Sequence, residues 1–352
     1  MVLSTYKATT SSDDAVAISS QIDLINPKDL LAEALSPVRP QMTELESRIK
    51  SYLPLNSSSA EAVVKHVFQS GGKRIRPALY FFCADLMNYR GEYLYPIAAV
   101  CEYVHTASLL HDDVVDNSTL RRNKPTASSI WGDQASVLVG DLIYSRASEL
   151  MAQTGSLQIV ETFARAIRLM SEGELLQLEN TFRFDASEAD YFKVLRMKTA
   201  ALISAACQSP AFLAEGDASP SAISLGTFGE SLGLAFQLID DALDYLGDGD
   251  VFGKPTQSDL LEGKLTMPVI LLRERATNAE RRELETILSG RVTPTEVSRV
   301  SEMIAHYQTG ESTVEMAGRY TDDAINALSV FNESEARVRL ETIAKRLVWR
   351  FS

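Results

Sequence analysis

Cysteine is scarce in this chain of 352 residues. There are three, Cys83, Cys101 and Cys207, each in an apolar stretch and none in a C-x-x-C pair or beside a histidine. An odd, scattered set excludes a disulfide framework and reads as reduced core thiols of an intracellular protein. Positive charge is also short: 34 Lys and Arg stand against 47 Asp and Glu, a formal net charge of −13. That balance lacks the basic footprint of a nucleic-acid partner and the attraction to anionic lipid that a basic surface gives. No run reaches the roughly 18 apolar residues of a transmembrane helix. The first twenty residues contain Asp13 and Asp14 and lack the basic-then-apolar order of a signal peptide. The expected location is cytoplasmic. Alternating β patterns and Asn-Gly or Asp-Gly turns are few, so strands are expected to be nearly absent.

Helical periodicity fills the space that strands leave. It predicts helices near 39–52, 57–70, 74–89, 93–116, 133–153, 157–182, 187–209, 219–247, 264–274, 278–290, 294–307, 310–329 and 333–348. Breaks are expected at Pro54, Gly91, Lys124-Pro125, Gly155, Ser209-Pro210, Ser219-Pro220, Gly247–Gly253 and Thr293-Pro294. The expected fold is all-α: one large helical bundle over residues 39–352, preceded by a Ser/Thr/Ala-rich, partly disordered extension over 1–38. The stretches around 96–116 and 219–244 are apolar over much of their circumference and so belong at the centre of the bundle.

Each of those two central helices ends in the same acidic pattern. Asp112-Asp113-Val114-Val115-Asp116 returns as Asp240-Asp241-Ala242-Leu243-Asp244. Aligning Glu102–Asp116 with Glu230–Asp244 matches six of fifteen positions, including Glu102/Glu230, Ala107/Ala235 and Leu110/Leu238. Residues four apart share a helix face, so Asp112 points with Asp116 and Asp240 with Asp244. One such cluster could be a solvated acidic face. Two, each following an apolar segment, need a counter-charge. Carboxylates are hard ligands suited to Mg²⁺, which characteristically bridges one or two of them to a substrate phosphate.

Basic residues gather ahead of the first cluster in Gly71-Gly72-Lys73-Arg74-Ile75-Arg76-Pro77. The glycines permit close backbone approach, and Lys73, Arg74 and Arg76 offer donors for phosphate. His105 precedes Asp112 by seven residues, close to two helical turns, and shares its face. Arg121-Arg122-Asn123-Lys124-Pro125-Thr126 forms a second phosphate-ready loop. Lys198-Thr199, Gln237, Lys254 and Lys264 bring cations and dipoles towards the second cluster.

Taken in order, Gly71–Pro77, His105–Asp116, Arg121-Arg122, Lys198-Thr199, Phe236–Asp244 and Gly253-Lys254 resemble the trans-isoprenyl diphosphate synthases, from about residue 40 to the C-terminus. The resemblance implies head-to-tail condensation of isopentenyl diphosphate with an allylic diphosphate, farnesyl or geranylgeranyl, in a homodimer that uses several Mg²⁺ ions. No nucleic acid and no membrane span is implied, and transient membrane contact at product release is compatible. By resemblance, Asp112, Asp116 and Asp240 bind Mg²⁺, with Asp113, Asp241 and Asp244 nearby as helpers. Arg121, Lys198 and Lys254 hold the allylic diphosphate. Lys73, Arg76, His105 and Arg122 hold isopentenyl diphosphate. Thr199 and Gln237 turn their dipoles to the developing cation.

Chain length is a steric matter in this family. Short-product relatives tend to carry Phe or Tyr where this chain has Ala107 or Ser108, with Val104 a turn further along. Small residues here imply a long product, near octaprenyl length within a hexaprenyl-to-decaprenyl range and suited to a quinone side chain. Tyr144 and Met151 on the next helix are candidates for a deeper stop. Two positions depart from the family: Asn123 and Gln257 stand where relatives often have Gly. Asn tolerates the left-handed backbone and should keep the turn, whereas Gln257 leaves closure of its loop open. The alternatives are a shorter-chain synthase, a class I terpene cyclase, which generally lacks Gly-Gly-Lys-Arg and the second Asp cluster, and a non-catalytic subunit, which tends to lose one cluster.

Overall fold

Polar caps decide where many of the helices begin. In the computed structural model, which describes residues 32–246, 258–290 and 292–348, Ser57 and Ser156 each accept a hydrogen bond from a backbone N–H three residues on. Ser187, Thr277 and Thr293 go further and form reciprocal capping boxes with Asp190, Glu280 and Glu296. The helices are α1 (Arg39–Arg48), α2 (Ser58–Gln69), α3 (Ile75–Leu86) and α4 (Leu94–Val115). Next come a hairpin of β1 (Leu120–Arg121) and β2 (Lys124–Pro125), then α5 (Ala127–Trp131), α6 (Asp133–Gln153) and α7 (Leu157–Asn180). A π turn, Arg196–Ala200, joins α8 (Glu188–Leu195) to α9 (Ala201–Glu215), and α10 (Pro220–Leu246) follows. The chain continues as α11 (Ser258–Leu261), α12 (Met267–Arg275), α13 (Asn278–Leu288), α14 (Pro294–Tyr307), α15 (Thr309–Ala327) and α16 (Glu335–Val348). The all-α expectation holds.

Helices α4 and α10 form the centre, as their composition implies. Ile97, Ala98, Ala99, Val100, Cys101, Tyr103, Val104 and Ala107 of α4 are fully buried, as are Leu225, Phe228, Ala235, Leu238 and Ile239 of α10. Each such Ile, Leu or Phe contributes about 1.5–3 kcal/mol. Helix α4 packs on α6, while α10 packs on α9 and α15. By length and composition α10 could cross a membrane, but 61% of its apolar window is buried inside the bundle. Cys83, Cys101 and Cys207 are free and buried. The expectation for the N-terminal extension lies, up to residue 31, outside the described residues.

Local chemistry modifies three sequence expectations. The break at Ser209-Pro210 does not occur: α9 runs through to Glu215 with Pro210 inside. Proline deletes one helical hydrogen bond, but here its ring is buried in the core and packing keeps the axis going. The sequence also hid the hairpin, whose register pairs Leu120 with Pro125 and Arg121 with Lys124. Its two-residue turn puts both Arg122 (φ 53°) and Asn123 (φ 60°) in the left-handed region, so Asn123 keeps the turn as expected. The third is the π turn. There the Ala201 N–H reaches back five residues to Arg196 O and changes the helical phase just where Lys198 and Thr199 sit.

The Arg74 side chain ties these parts together. Its guanidinium donates to Glu102 on α4, to Glu46 on α1 at 2.8 Å and to Phe68 O at 3.0 Å. Only 10% of Arg74 and 6% of Glu102 is exposed. Arg74 is therefore a brace between helices rather than a phosphate donor. Removing one partner of a buried pair strands the other. Glu102→Ala should lower the unfolding free energy by about 3 kcal/mol, measured by urea denaturation; an unchanged midpoint would contradict this role.

Candidate active site

The acidic ends of α4 and α10 face a shared cleft. A cavity of about 450 Å³ is lined on one side by Ser108, His111, Asp112 and Val115, and on the other by Lys198 and Thr199 of the π turn. Lys198 and Thr199 also line a second cavity, of about 190 Å³, with Gln237, Asp241, Asp259 and Lys264. The two cavities meet at the π turn. Charge acts across the cleft as well: Asp116 helps to raise the Lys264 ammonium, and Lys198 draws down Asp112 in part.

Burial governs the first wall. Burial, then the neighbouring Glu174 carboxylate, pushes the Asp112 carboxyl up to about 6. Asp113 is buried and accepts a hydrogen bond from Arg121 Nε at 2.7 Å, while Asp116 is exposed at the helix end. In this arrangement Arg121 is held by Asp113. On the second wall, Asp241 is buried and accepts from Tyr191 OH at 2.7 Å and Gln237 Nε2 at 2.8 Å. Burial and the nearby Asp259 still hold it above the ordinary carboxylate range. Thr199 Oγ1 donates to Gln237 Oε1 at 3.2 Å, so a relay Thr199–Gln237–Asp241–Tyr191 fixes both candidate dipoles. Asp240 is half-buried, and Asp244 accepts the Asp259 backbone N–H at 3.1 Å.

Basic residues converge on His105. Burial, then Arg76, Arg122, Arg121 and Arg74, holds its imidazole well below its usual value, so it is neutral at pH 7 with one N–H to donate. Arg76 is half-buried, its Nε enclosed and unpartnered, and it lines the 450 Å³ cavity beside His105. Arg122 donates to Gly71 O and Lys124 Nζ to Gln69 O at 3.1 Å, which docks the hairpin on the glycine loop. Gly72 makes this fit: a Cβ there would lie 2.7 Å from Arg122 Nη1. Lys73 is exposed at the start of α3. Lys254 and Gln257 lie outside the described residues.

The chain-length candidates separate. Ser108 lines the cavity, its hydroxyl turned back to His105 O at 2.8 Å. Ala107 and Val104 are fully buried in the core and are not among the lining residues: Ala107 is turned about 100° round the helix from Ser108, and Val104, one turn away on the same face, is covered by core packing. Tyr144 lines the same cavity with its ring 5.6 Å from His111, whereas Met151 packs in the core. Met170, Leu175 and Leu178 of α7 supply an apolar side.

Sequence reasoning missed Glu174, Tyr191 and Asp259. None stands in a repeated pattern, and α7 shows only ordinary amphipathic spacing. Their signal is proximity, which needs the fold.

Among the described residues no three His, Cys, Asp or Glu side chains converge as a ready-made metal cage. The site suits Mg²⁺ nonetheless. Hard carboxylate oxygens, held above their ordinary range chiefly by burial, line two sides of a cleft with room for a phosphate-bearing ligand between them, and Mg²⁺ takes one or two carboxylates plus substrate oxygens.

Known proteins resemble this arrangement throughout. Residues 57–307 match the polyprenyl synthetase family model. Octaprenyl diphosphate synthase of Escherichia coli (strain K12) is 40% identical over 285 residues, covering 81% of this chain and 88% of that protein. A decaprenyl diphosphate synthase from Rhodobacter capsulatus superposes with a TM-score of 0.85 at 35% identity, covering 91% of this chain and 99% of the other. A polyprenyl synthase from Caulobacter crescentus CB15, complexed with calcium and isoprenyl diphosphate, gives a TM-score of 0.84 at 36% identity over 90% and 97%.

The raised Asp112 carboxyl sets the sign of a pH effect. A metal needs the carboxylate, so protons compete as pH falls through about 6. Calorimetric titration with Mg²⁺ and inorganic diphosphate should show apparent affinity falling by up to about tenfold per pH unit below that point. Affinity unchanged between neutral pH and pH 5 would contradict it.

Proposed function

This chain belongs to the polyprenyl synthetase family and is a prenyltransferase, and from that premise we propose that it condenses isopentenyl diphosphate head-to-tail onto an allylic diphosphate, with Mg²⁺, to a product near octaprenyl length. The observation that carries the reading is the pair of carboxylate walls meeting across the π turn, with a basic, half-buried pocket on one flank and an apolar one on the other.

The residues divide the work. Asp112, Asp116 and Asp240 would hold Mg²⁺, which when bound supplies positive charge to the departing diphosphate. Lys198 adds a fixed cation to the same leaving group as the allylic C–O bond breaks. Thr199 and Gln237, locked by their relay to Asp241, present oxygen lone pairs towards the allylic carbon that becomes positive. Met170, Leu175 and Leu178 keep water from that carbon. Arg76 and neutral His105 place isopentenyl diphosphate so that its double bond reaches the cation, and positioning is most of what the second substrate needs.

A second copy of the chain is part of the proposal. Leu138 on α6 is 66% exposed and Leu175 on α7 61%, with Val137, Leu142 and Leu178 near the same faces. An apolar surface beside a cavity that must exclude water favours a homodimer that covers it.

Incubation with labelled isopentenyl diphosphate, farnesyl diphosphate and Mg²⁺ tests the activity and its product. Asp112→Ala and Asp240→Ala should each lower turnover by about a hundredfold or more; near-normal turnover of both at saturating Mg²⁺ would overturn the assignment of the walls. Product length has its own test in Ser108→Phe. An aromatic ring against Tyr144 overfills the cavity, so chromatography should show products cut to farnesyl or geranylgeranyl length with the first condensation intact. Full-length product from this variant, or a wild type that already stops at geranylgeranyl length, would refute the steric argument.

A further inference from the structure

Helix α7 meets the π turn with two consecutive residues. At Gly173 a Cβ would lie 2.9 Å from Lys198 N and 2.9 Å from Met197 Cβ, so the absence of a side chain is what lets the two backbones close. On the other flank Gly233 of α10 does the same against Ala200, where a Cβ would lie 2.8 Å from Cα. The turn that carries Lys198 is thus clamped from both sides. The residue after Gly173 is Glu174, and its carboxylate pairs with Lys198 Nζ at 2.5 Å. Only 14% of the Glu174 side chain and 29% of Lys198 is exposed. The same carboxylate lines the cavity beside Asp112.

This placement is unfavourable for a site that must accept an anion. A further carboxylate stands next to an acidic wall whose buried Asp112 it repels, and it occupies the ammonium group that a diphosphate would need. We propose that Glu174 is a positioning residue: it holds Lys198 extended into the cleft in the unliganded enzyme, as a stand-in for diphosphate, and yields it when the metal-bound allylic diphosphate arrives. The inference rests on the proposed function. Exchange of one anionic partner for another lowers ground-state affinity but keeps Lys198 in the geometry that the leaving group requires.

The test separates charge from packing. Binding of inorganic diphosphate with Mg²⁺ is measured by calorimetry for the wild type, Glu174→Gln, Glu174→Asp, Lys198→Ala and the Glu174→Gln/Lys198→Ala double variant, with product formation followed in parallel. Glu174→Gln removes the competing charge at nearly constant shape. It should bind diphosphate about fivefold more tightly than wild type and lower KM for the allylic diphosphate, while kcat changes little because the bound diphosphate itself then holds Lys198. Glu174→Asp keeps the charge and should not tighten binding. In the Lys198→Ala background the Gln substitution should leave affinity nearly unchanged. Equal or weaker binding by Glu174→Gln, tightening by Glu174→Asp, or the same gain without Lys198 would each overturn the proposal. If the wild type forms polyprenyl product and Glu174→Gln still behaves like it, the inference alone falls. If the wild type neither binds diphosphate nor forms product, the proposed function falls and takes the inference with it.

Discussion

Unbalanced negative charge, held between packed helices, is the constraint on which the rest of the site depends. Asp112 and Asp241 stand at the ends of the two central helices, and in each case burial is the main force lifting the carboxyl. The fold accepts that destabilisation because the surrounding core is large. Tyr103, Ile97 and Val100 on one helix and Phe228, Leu238 and Ile239 on the other leave the acidic ends little freedom to relax away from one another. A bound cation would relieve the repulsion, and under the proposed function a diphosphate would bridge what the protein alone keeps apart.

The remaining charges are arranged so that they do not resolve it early. Arg74 is engaged by Glu102 and Glu46, Arg121 by Asp113 and Lys198 by Glu174. These three cations each have a carboxylate partner that limits their reach, and under the proposed function substrate binding becomes an exchange of partners. Neutral His105 is the complementary case. Four arginines act on it, so it enters the basic pocket as a hydrogen-bond donor and adds no further charge there. Positioning by the π turn belongs to the same economy of movement: a change of helical phase, made tolerable by Gly173 and Gly233, aims Lys198 and Thr199 at the cleft without a flexible loop.

Much of this was legible in the sequence because repetition and periodicity are local signals. The two Asp clusters, the helices that bear them and the basic segments near the first cluster could be read directly, and the helical starts near residues 57, 157 and 294 followed from periodicity and from the breaks at Pro54, Gly155 and Thr293-Pro294. What escaped depends on tertiary contact. Pro210 reads as a break until its ring is seen to be packed in the core. Arg74 is indistinguishable from Lys73 and Arg76 in a string, yet a buried Glu102 claims it. Ala107 and Ser108 look equivalent as small residues, but the helix buries the first and turns the second to the cavity. Glu174 gives no sign of itself outside the fold, since its meaning comes from Lys198, which is distant in sequence and adjacent in space.

The central claim is that both walls act together on one metal-bound diphosphate. It is tested most directly by substituting Mn²⁺ for Mg²⁺ and locating the ions by anomalous scattering in crystals grown with an unreactive thio analogue of farnesyl diphosphate. The account predicts ions that bridge the diphosphate to Asp112 and Asp116 on one side and to Asp240 on the other. Ions confined to a single wall, or a diphosphate seated in the cleft without metal contact to either, would contradict it.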